Sequence, residues 1–177
     1  MESSGRYRWV VAFGSNLGDR LESLRAARRM LGLGDAIERA SRVYESVPMY
    51  VDDQPFFLNA ALLVVSNRGP REMLARIQEI ERAGRRDRSK VARYGPRLID
   101  LDIVLGWAGD GADVALSDPD LEVPHPRMGE RAFVLGPLLD VVSDWRDPRV
   151  GWSARDRYAE LAPSAGMRVY CEPEDWA

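Results

Sequence analysis

Leu98-Ile99-Asp100-Leu101-Asp102-Ile103-Val104-Leu105 is apolar except for two acids. A run of this length, rich in Leu, Ile and Val, reads as a buried strand. Side chains two apart along a strand share a face. Asp100 and Asp102 therefore point one way, and Leu101, Ile103 and Leu105 take the other. Two neighbouring carboxylates in an apolar strand are costly unless something compensates them. One compensator is a divalent cation: Mg²⁺ suits one or two carboxylates completed by phosphate oxygens and water. The other is a structural ion cluster with Arg93 and Arg97. The pattern of the strand alone leaves both open.

Immediately before this strand the chain is strongly cationic. Arg82, Arg85, Arg86, Arg88, Lys90, Arg93 and Arg97 stand against Asp87 alone, so the segment 82–97 carries +6 in a chain of net charge −3, and the remainder carries −9. A local cationic loop on an acidic protein suits a compact polyanion better than a long nucleic acid. Lys90 is the single lysine, and arginine suits bidentate phosphate contacts.

Upstream, Tyr7 to Phe13 reads as a first strand, followed by the turn Gly14-Ser15-Asn16-Leu17-Gly18. Asp19 is placed to cap a helix with Leu21, Leu24, Ala27 and Leu31 at helical spacing, ended by Gly32 and Gly34. Ile37 to Val47 reads as one second strand, Pro48 to Pro55 as a loop, and Phe57 to Val65 as a third strand. Asn67-Arg68-Gly69-Pro70 opens a second helix with a Met73, Leu74, Ile77 and Ile80 stripe, stopped by Gly84. With the acid-bearing strand fourth, the order is β-α-β-β-α-β. The expected fold class is α+β: a ferredoxin-like core with an antiparallel sheet and helices on one face. An extension follows from about Trp107. Val114 to Leu116 and Leu121 to Val123 read as short strands, Val134 to Val142 as a helix limited by Pro137, and Ser153 to Leu161 as a last helix.

The chain has 177 residues, 45% hydrophobic and 30% charged. That fits one well-packed domain spanning 1–177. No apolar run is long enough to cross a membrane, and Met1 to Val10 lacks a signal-peptide core. Cys171 is the single cysteine, so no intrachain disulfide forms and a reducing cytoplasm fits.

Several chemistries are excluded. Lys90 lies between Ser89 and Val91, so no Gly-Lys-Ser/Thr phosphate loop exists. His125 is the single histidine, which rules out a His-Glu-x-x-His zinc site. There is no Cys-x-x-Cys and no Gly-x-Ser-x-Gly elbow. Phosphate chemistry without a P-loop remains. It asks a protein mainly for positioning, metal ions and positive charge. Val123-Pro124-His125-Pro126-Arg127-Met128-Gly129-Glu130-Arg131-Ala132-Phe133 adds a histidine, two arginines and an aromatic ring.

Four motifs occur in order: Gly14-Ser15-Asn16-Leu17-Gly18, Asp53-Gln54-Pro55-Phe56-Phe57-Leu58-Asn59-Ala60, Gly95-Pro96-Arg97-Leu98-Ile99-Asp100-Leu101-Asp102, and Val123-Pro124-His125 through Arg131-Ala132-Phe133. On these the chain resembles the hydroxymethyldihydropterin pyrophosphokinase family of folate biosynthesis, from about Val10 to Val142, leaving 143–177 as a C-terminal extension. The resemblance implies an ATP diphosphotransferase that moves diphosphate to the pterin hydroxymethyl group and releases AMP. ATP is then a co-substrate, and two Mg²⁺ ions are held by Asp100 and Asp102. Arg85 and Arg97 match catalytic-loop arginines. Gln78, Arg88, Tyr94, His125 and Arg131 match ATP contacts, with Lys90 a further candidate. Ser46, Val47, Pro48, Met49, Phe57, Asn59 and Phe133 match the pterin pocket, in which the two rings stack on the substrate and Asn59 reads its edge. Asn16 is placed at the pocket floor. Asp120 stands where some members carry a basic nucleotide contact. A monomer is expected, with no nucleic-acid or membrane partner.

Two other readings keep different signatures. An RNA-binding module on the same sheet would bind RNA in a salt-dependent way without ATP turnover, although the RNP1 signature is missing. A Mg²⁺-dependent phosphohydrolase would release AMP without pterin.

Overall fold

The computed structural model describes residues 5–48, 54–84 and 98–177. β1 (Tyr7–Ser15) runs between two antiparallel neighbours, β4 (Phe57–Ser66) and β5 (Asp100–Trp107). β2 (Ala36–Ala40) and β3 (Val43–Ser46) follow one another along the far edge of β4. The crossovers are α1 (Arg20–Gly32) and α2 (Pro70–Gly84). With β2 and β3 counted as one interrupted strand, this is the expected β-α-β-β-α-β order on an antiparallel sheet. The helix starts follow the sequence signals. Asp19 caps α1 by accepting from the Glu22 amide at 3.0 Å. Pro70 opens α2, where its missing N–H costs nothing.

The sheet is covered on both faces, which corrects the expectation of helices on one face. On one face α1 and α2 bury Leu24, Leu31, Met73 and Ile77 against Trp9, Phe13, Leu62 and Leu101. On the other, α3 (Ala132–Val141) packs Leu135, Leu138 and Val141 on Val10, Leu63 and Leu105. Each fully buried side chain of this size contributes about 1.5–3 kcal/mol. α3 continues through Pro137, whose absent N–H removes one helical hydrogen bond; the apolar packing of both flanks holds the helix.

Leu105 is the second correction. Leu101 and Ile103 face α1 and α2, but Val104 and Leu105 both belong to the α3 side. The pairing of β1 with β5 shifts between Val10↔Leu105 and Val11↔Ile103, so Val104 is an extra residue in a β-bulge. Strict alternation ends there.

The second strand is split where Ser41 diverts the ladder. Its hydroxyl donates to the Arg42 carbonyl at 2.6 Å and accepts from the Ala61 amide at 2.8 Å. Its carbonyl accepts from the Trp176 indole at 2.8 Å.

In the extension, β6 (Leu116–Asp118) and β7 (Leu121–Val123) form a hairpin, starting two residues later than the Val114 expected. α4 (Ala154–Leu161) starts at its Ser153 cap. A strand without a sequence-based expectation, β8 (Met167–Cys171), adds to the edge at β3. The chain then turns to bury Trp176 completely, edge-on to Phe13 and under the Arg28 guanidinium.

Candidate functional site

Residues opposite one another in an antiparallel pair share a face, so the strand register defines the site. Gly14 of β1 lies between Asp100 of β5 and Asn59 of β4. Ala12, two residues back, lies between Asp102 and Ala61. Asn59 in turn pairs with Tyr44, and Phe57 with Ser46. Asp100, Asp102, Asn59, Ser46 and Phe57 therefore line one end of one sheet face. This is the α3 face, beyond the region that α3 packs with Val10, Leu63 and Leu105.

The floor between the acids and Asn59 is open because Gly14 has no side chain. A Cβ there would sit 3.9 Å from the Asp100 Cβ and 4.0 Å from the Asn59 Oδ1, so it would fill space without a clash. Asn59 is buried and oriented: its amide nitrogen donates to the Ser46 Oγ at 2.9 Å and to the Tyr44 carbonyl at 3.5 Å. The amide orientation turns Oδ1 toward the Gly14 floor. Buried Asn16 donates to the Gln54 Oε1 at 3.1 Å and ties the Gly14-to-Gly18 turn to the chain entering β4.

Asp100 is half-buried and Asp102 exposed. Both are oxygen donors on one face at the spacing of a strand. Among the described residues no group of three or more potential metal-ligating side chains occurs. A cation held by this pair needs oxygens from elsewhere, and the donor set suits Mg²⁺ completed by nucleotide phosphates. The start of β5 is itself anchored by α2, where Glu81 accepts from the Leu101 amide at 2.9 Å.

The 123–131 loop reaches the same strand. The His125 amide donates to the Val104 carbonyl at 2.7 Å, at the bulge. The His125 Nδ1 accepts from the Arg127 amide at 3.1 Å, so the ring proton of the neutral form sits on Nε2. Burial, then the positive charge of Arg131, hold the His125 pKa below 6.5. Arg131 precedes α3, with its guanidinium 5.8 Å from the Phe133 ring centre. Its buried Nε has no hydrogen-bond partner among the described residues. Phe133 sits in the first turn of α3 and is half-buried, like Phe57. The ring pairs in contact among the described residues are Tyr7–Trp9, Phe13–Trp176 and Trp145–Trp152. Phe57 and Phe133 thus do not stack on each other.

Val47 is exposed and Pro48 half-buried, just past β3. Gln78 is exposed on α2. Asp120 lies at the β6–β7 turn. Met49, Arg85, Arg88, Lys90, Arg93, Tyr94 and Arg97 lie outside the described residues, as does the alternative pairing of the acids with Arg93 and Arg97.

Sequence reasoning missed the supports. Gly14 reads as a turn glycine but forms the floor. Arg149, Trp152 and Arg157 of the extension touch the His125 loop through Pro124 and Gly129. Those contacts are tertiary and leave no periodic signal.

The sequence model of the 7,8-dihydro-6-hydroxymethylpterin-pyrophosphokinase (HPPK) family matches residues 10–143. The 2-amino-4-hydroxy-6-hydroxymethyldihydropteridine pyrophosphokinase of Mycobacterium leprae is 41% identical over 172 residues, covering 92% of this chain and 88% of that protein. The mitochondrial folate synthesis bifunctional protein of Arabidopsis thaliana is 42% identical over 141 residues, covering 78% of this chain. The chain spans 24% of that plant protein's length. The crystal structure of the wild-type HPPK-DHPS of Plasmodium falciparum superposes with a TM-score of 0.66 at 15% identity, over 89% of this chain and 45% of that one. At that identity the likeness speaks for a shared fold.

Proposed function

The chain belongs to the 7,8-dihydro-6-hydroxymethylpterin-pyrophosphokinase family, and on that premise we propose that it transfers diphosphate from ATP to the hydroxymethyl group of 6-hydroxymethyl-7,8-dihydropterin. The observation that carries this reading is one rung of the sheet: Asp100, Gly14 and Asn59 side by side, with Asp102 next to Asp100 on the same face. It supports a phosphate end and a pterin end a few ångströms apart on one floor.

In this reading the flat pterin lies over Gly14 between the Phe57 and Phe133 rings. Asn59 is pre-oriented by Ser46 and Tyr44 and offers Oδ1 to the N–H groups of the pterin edge. Backbone groups at 46–49 complete that pocket. Asp100 and Asp102 would hold Mg²⁺, two ions by family resemblance, and the metal would supply positive charge against the triphosphate. Neutral His125 donates from Nε2 to a phosphate oxygen, and Arg131 adds a fixed positive charge. Arg85 and Arg97, with Arg88 and Tyr94, belong to the same proposal as phosphate and nucleotide contacts, and Gln78 as a further nucleotide contact. The pterin hydroxyl oxygen attacks the β-phosphorus, the bond to the α-phosphate oxygen breaks, AMP leaves, and the hydroxyl proton is lost. The protein's part is alignment and charge, with no covalent intermediate.

A monomer in the cytoplasm is part of the same proposal; some curated plant relatives are named as mitochondrial. Among the described residues no helix is long and apolar enough to cross a membrane. The test is product analysis with Mg²⁺-ATP and the hydroxymethyl pterin. AMP and pterin diphosphate should appear one for one. AMP without pterin would instead indicate a phosphohydrolase, and salt-dependent RNA binding without turnover a binding module.

A further inference from the structure

The His125 loop is braced by a segment beyond residues 10–143 that match the family. Between Trp145 and Arg157 the chain folds back on itself: the Asp147 amide donates to the Trp152 carbonyl at 2.9 Å, and the Gly151 amide to the Asp147 carbonyl at 2.7 Å. The Asp147 carboxylate is fully buried. It accepts from the Arg149 amide at 2.8 Å, from Nε at 3.1 Å and from Nη2 at 2.8 Å. These bonds hold its pKa below the ordinary carboxylate value. A bidentate pair of this kind fixes the plane of the guanidinium.

The remaining nitrogen of that guanidinium points at the site. Arg149 Nη1 donates to the Pro124 carbonyl at 3.2 Å, one residue before His125, and to the Glu122 Oε1 at 3.4 Å. The other end of the loop is held from the same segment. Arg157 Nε donates to the Gly129 carbonyl at 2.9 Å. Trp152 lies so close to Gly129 that a Cβ there would come within 2.9 Å of the indole. The loop between Pro124 and Gly129 carries the single histidine and leads into Arg131.

We propose that Arg149 is a positioning residue for the nucleotide-phosphate loop, aiming His125 through its hold on the Pro124 carbonyl. The claim rests on the proposed role of His125 in the diphosphate transfer. Arg149 itself touches neither nucleotide nor pterin in this account. Loosening it misplaces the His125 ring and its Nδ1 bond to the Arg127 amide, and leaves the Asn59 pocket on the sheet untouched.

Because the chain has one histidine, its ring nitrogens give one set of signals in the ¹⁵N-histidine-labelled full chain. The test compares the natural protein with Arg149→Met, first without nucleotide and then in steady-state kinetics. The natural protein should show the Nε2–H form. Arg149→Met should show a mixture of tautomers, a KM for ATP about tenfold higher, and a KM for the pterin changed less than twofold. Arg149→Lys keeps the charge but cannot span Asp147 and Pro124 together, so it should recover less than half of the loss. The double variant Asp147→Asn with Arg149→Met removes the buried charge with its partner and gives the same readouts should the single variant fail to fold. Histidine signals or an ATP KM that stay at the natural values in a folded variant overturn the proposal. The nucleotide-free spectrum does not depend on the reaction. Altered signals in a chain that transfers no diphosphate would therefore overturn the functional reading alone.

Discussion

Two ends of one sheet face have opposite characters. At the Val10–Leu63–Leu105 end every side chain is apolar and buried under α3. At the Gly14–Asp100–Asn59 end, two rungs away along β1, the rung itself carries a glycine, an acid and an amide. The first end supplies stability, and the second keeps two acids and an amide aimed at a common floor. Like-charged carboxylates on neighbouring rungs oppose folding unless compensated. The bulge at Val104 marks the border. It lets Leu105 join the α3 core while Asp100 and Asp102 remain on that same face, and it frees a carbonyl for the His125 amide.

The contrast breaks most visibly if one substitution at each end is compared. Asp102→Asn should lower the rate of diphosphate transfer by about three decades and move Tm by less than about 3 °C, as usual for an exposed side chain. Leu135→Ala, in the α3 core, should do the reverse: a loss of about 2–5 kcal/mol in denaturant unfolding with kcat near the natural value. A smaller effect sharpens the role of the floor. Gly14→Val should raise the pterin KM roughly tenfold while the KM for ATP changes little; equal changes in both would mean that the floor is shared differently. The smallest effect is a titration. With its pKa held below 6.5 by burial and Arg131, His125 favours the fold in its neutral form. That contribution is present above pH 6.5 and is lost as pH falls through the lower folded value. A triphosphate should push the midpoint back up, since the anion favours the imidazolium. Proton NMR of the His125 ring reads both.

The α1–α2 face was legible in the sequence because its residues keep a regular period: Leu24, Ala27 and Leu31 on one helix, Met73, Ile77 and Ile80 on the other, Leu101 and Ile103 on the strand. The α3 face was less so. Alternation fails at Val104, Ser41 interrupts an otherwise strand-like run through a side-chain hydroxyl, and the helix expected from Val134 starts two residues earlier, at Ala132, and runs through Pro137. β8 and Trp176 left no local signal strong enough to place them; their stabilisation lies in β3 and in Ser41, more than a hundred residues away. In the site, same-face acids followed from strand period alone. Gly14 as a floor, Ser46 and Tyr44 as the orienters of Asn59, and the brace at Arg149 are contacts between distant parts of the chain, visible only once the register is known.

The central claim is that Asp100 and Asp102 together grip a divalent cation beside the nucleotide. Mn²⁺, titrated in place of Mg²⁺ and followed by electron paramagnetic resonance with a non-hydrolysable ATP analogue present, tests it most directly. The account predicts saturable Mn²⁺ binding to the natural protein–nucleotide complex and a loss of at least tenfold in affinity in both Asp100→Asn and Asp102→Asn. Unchanged Mn²⁺ affinity in both folded variants would contradict it.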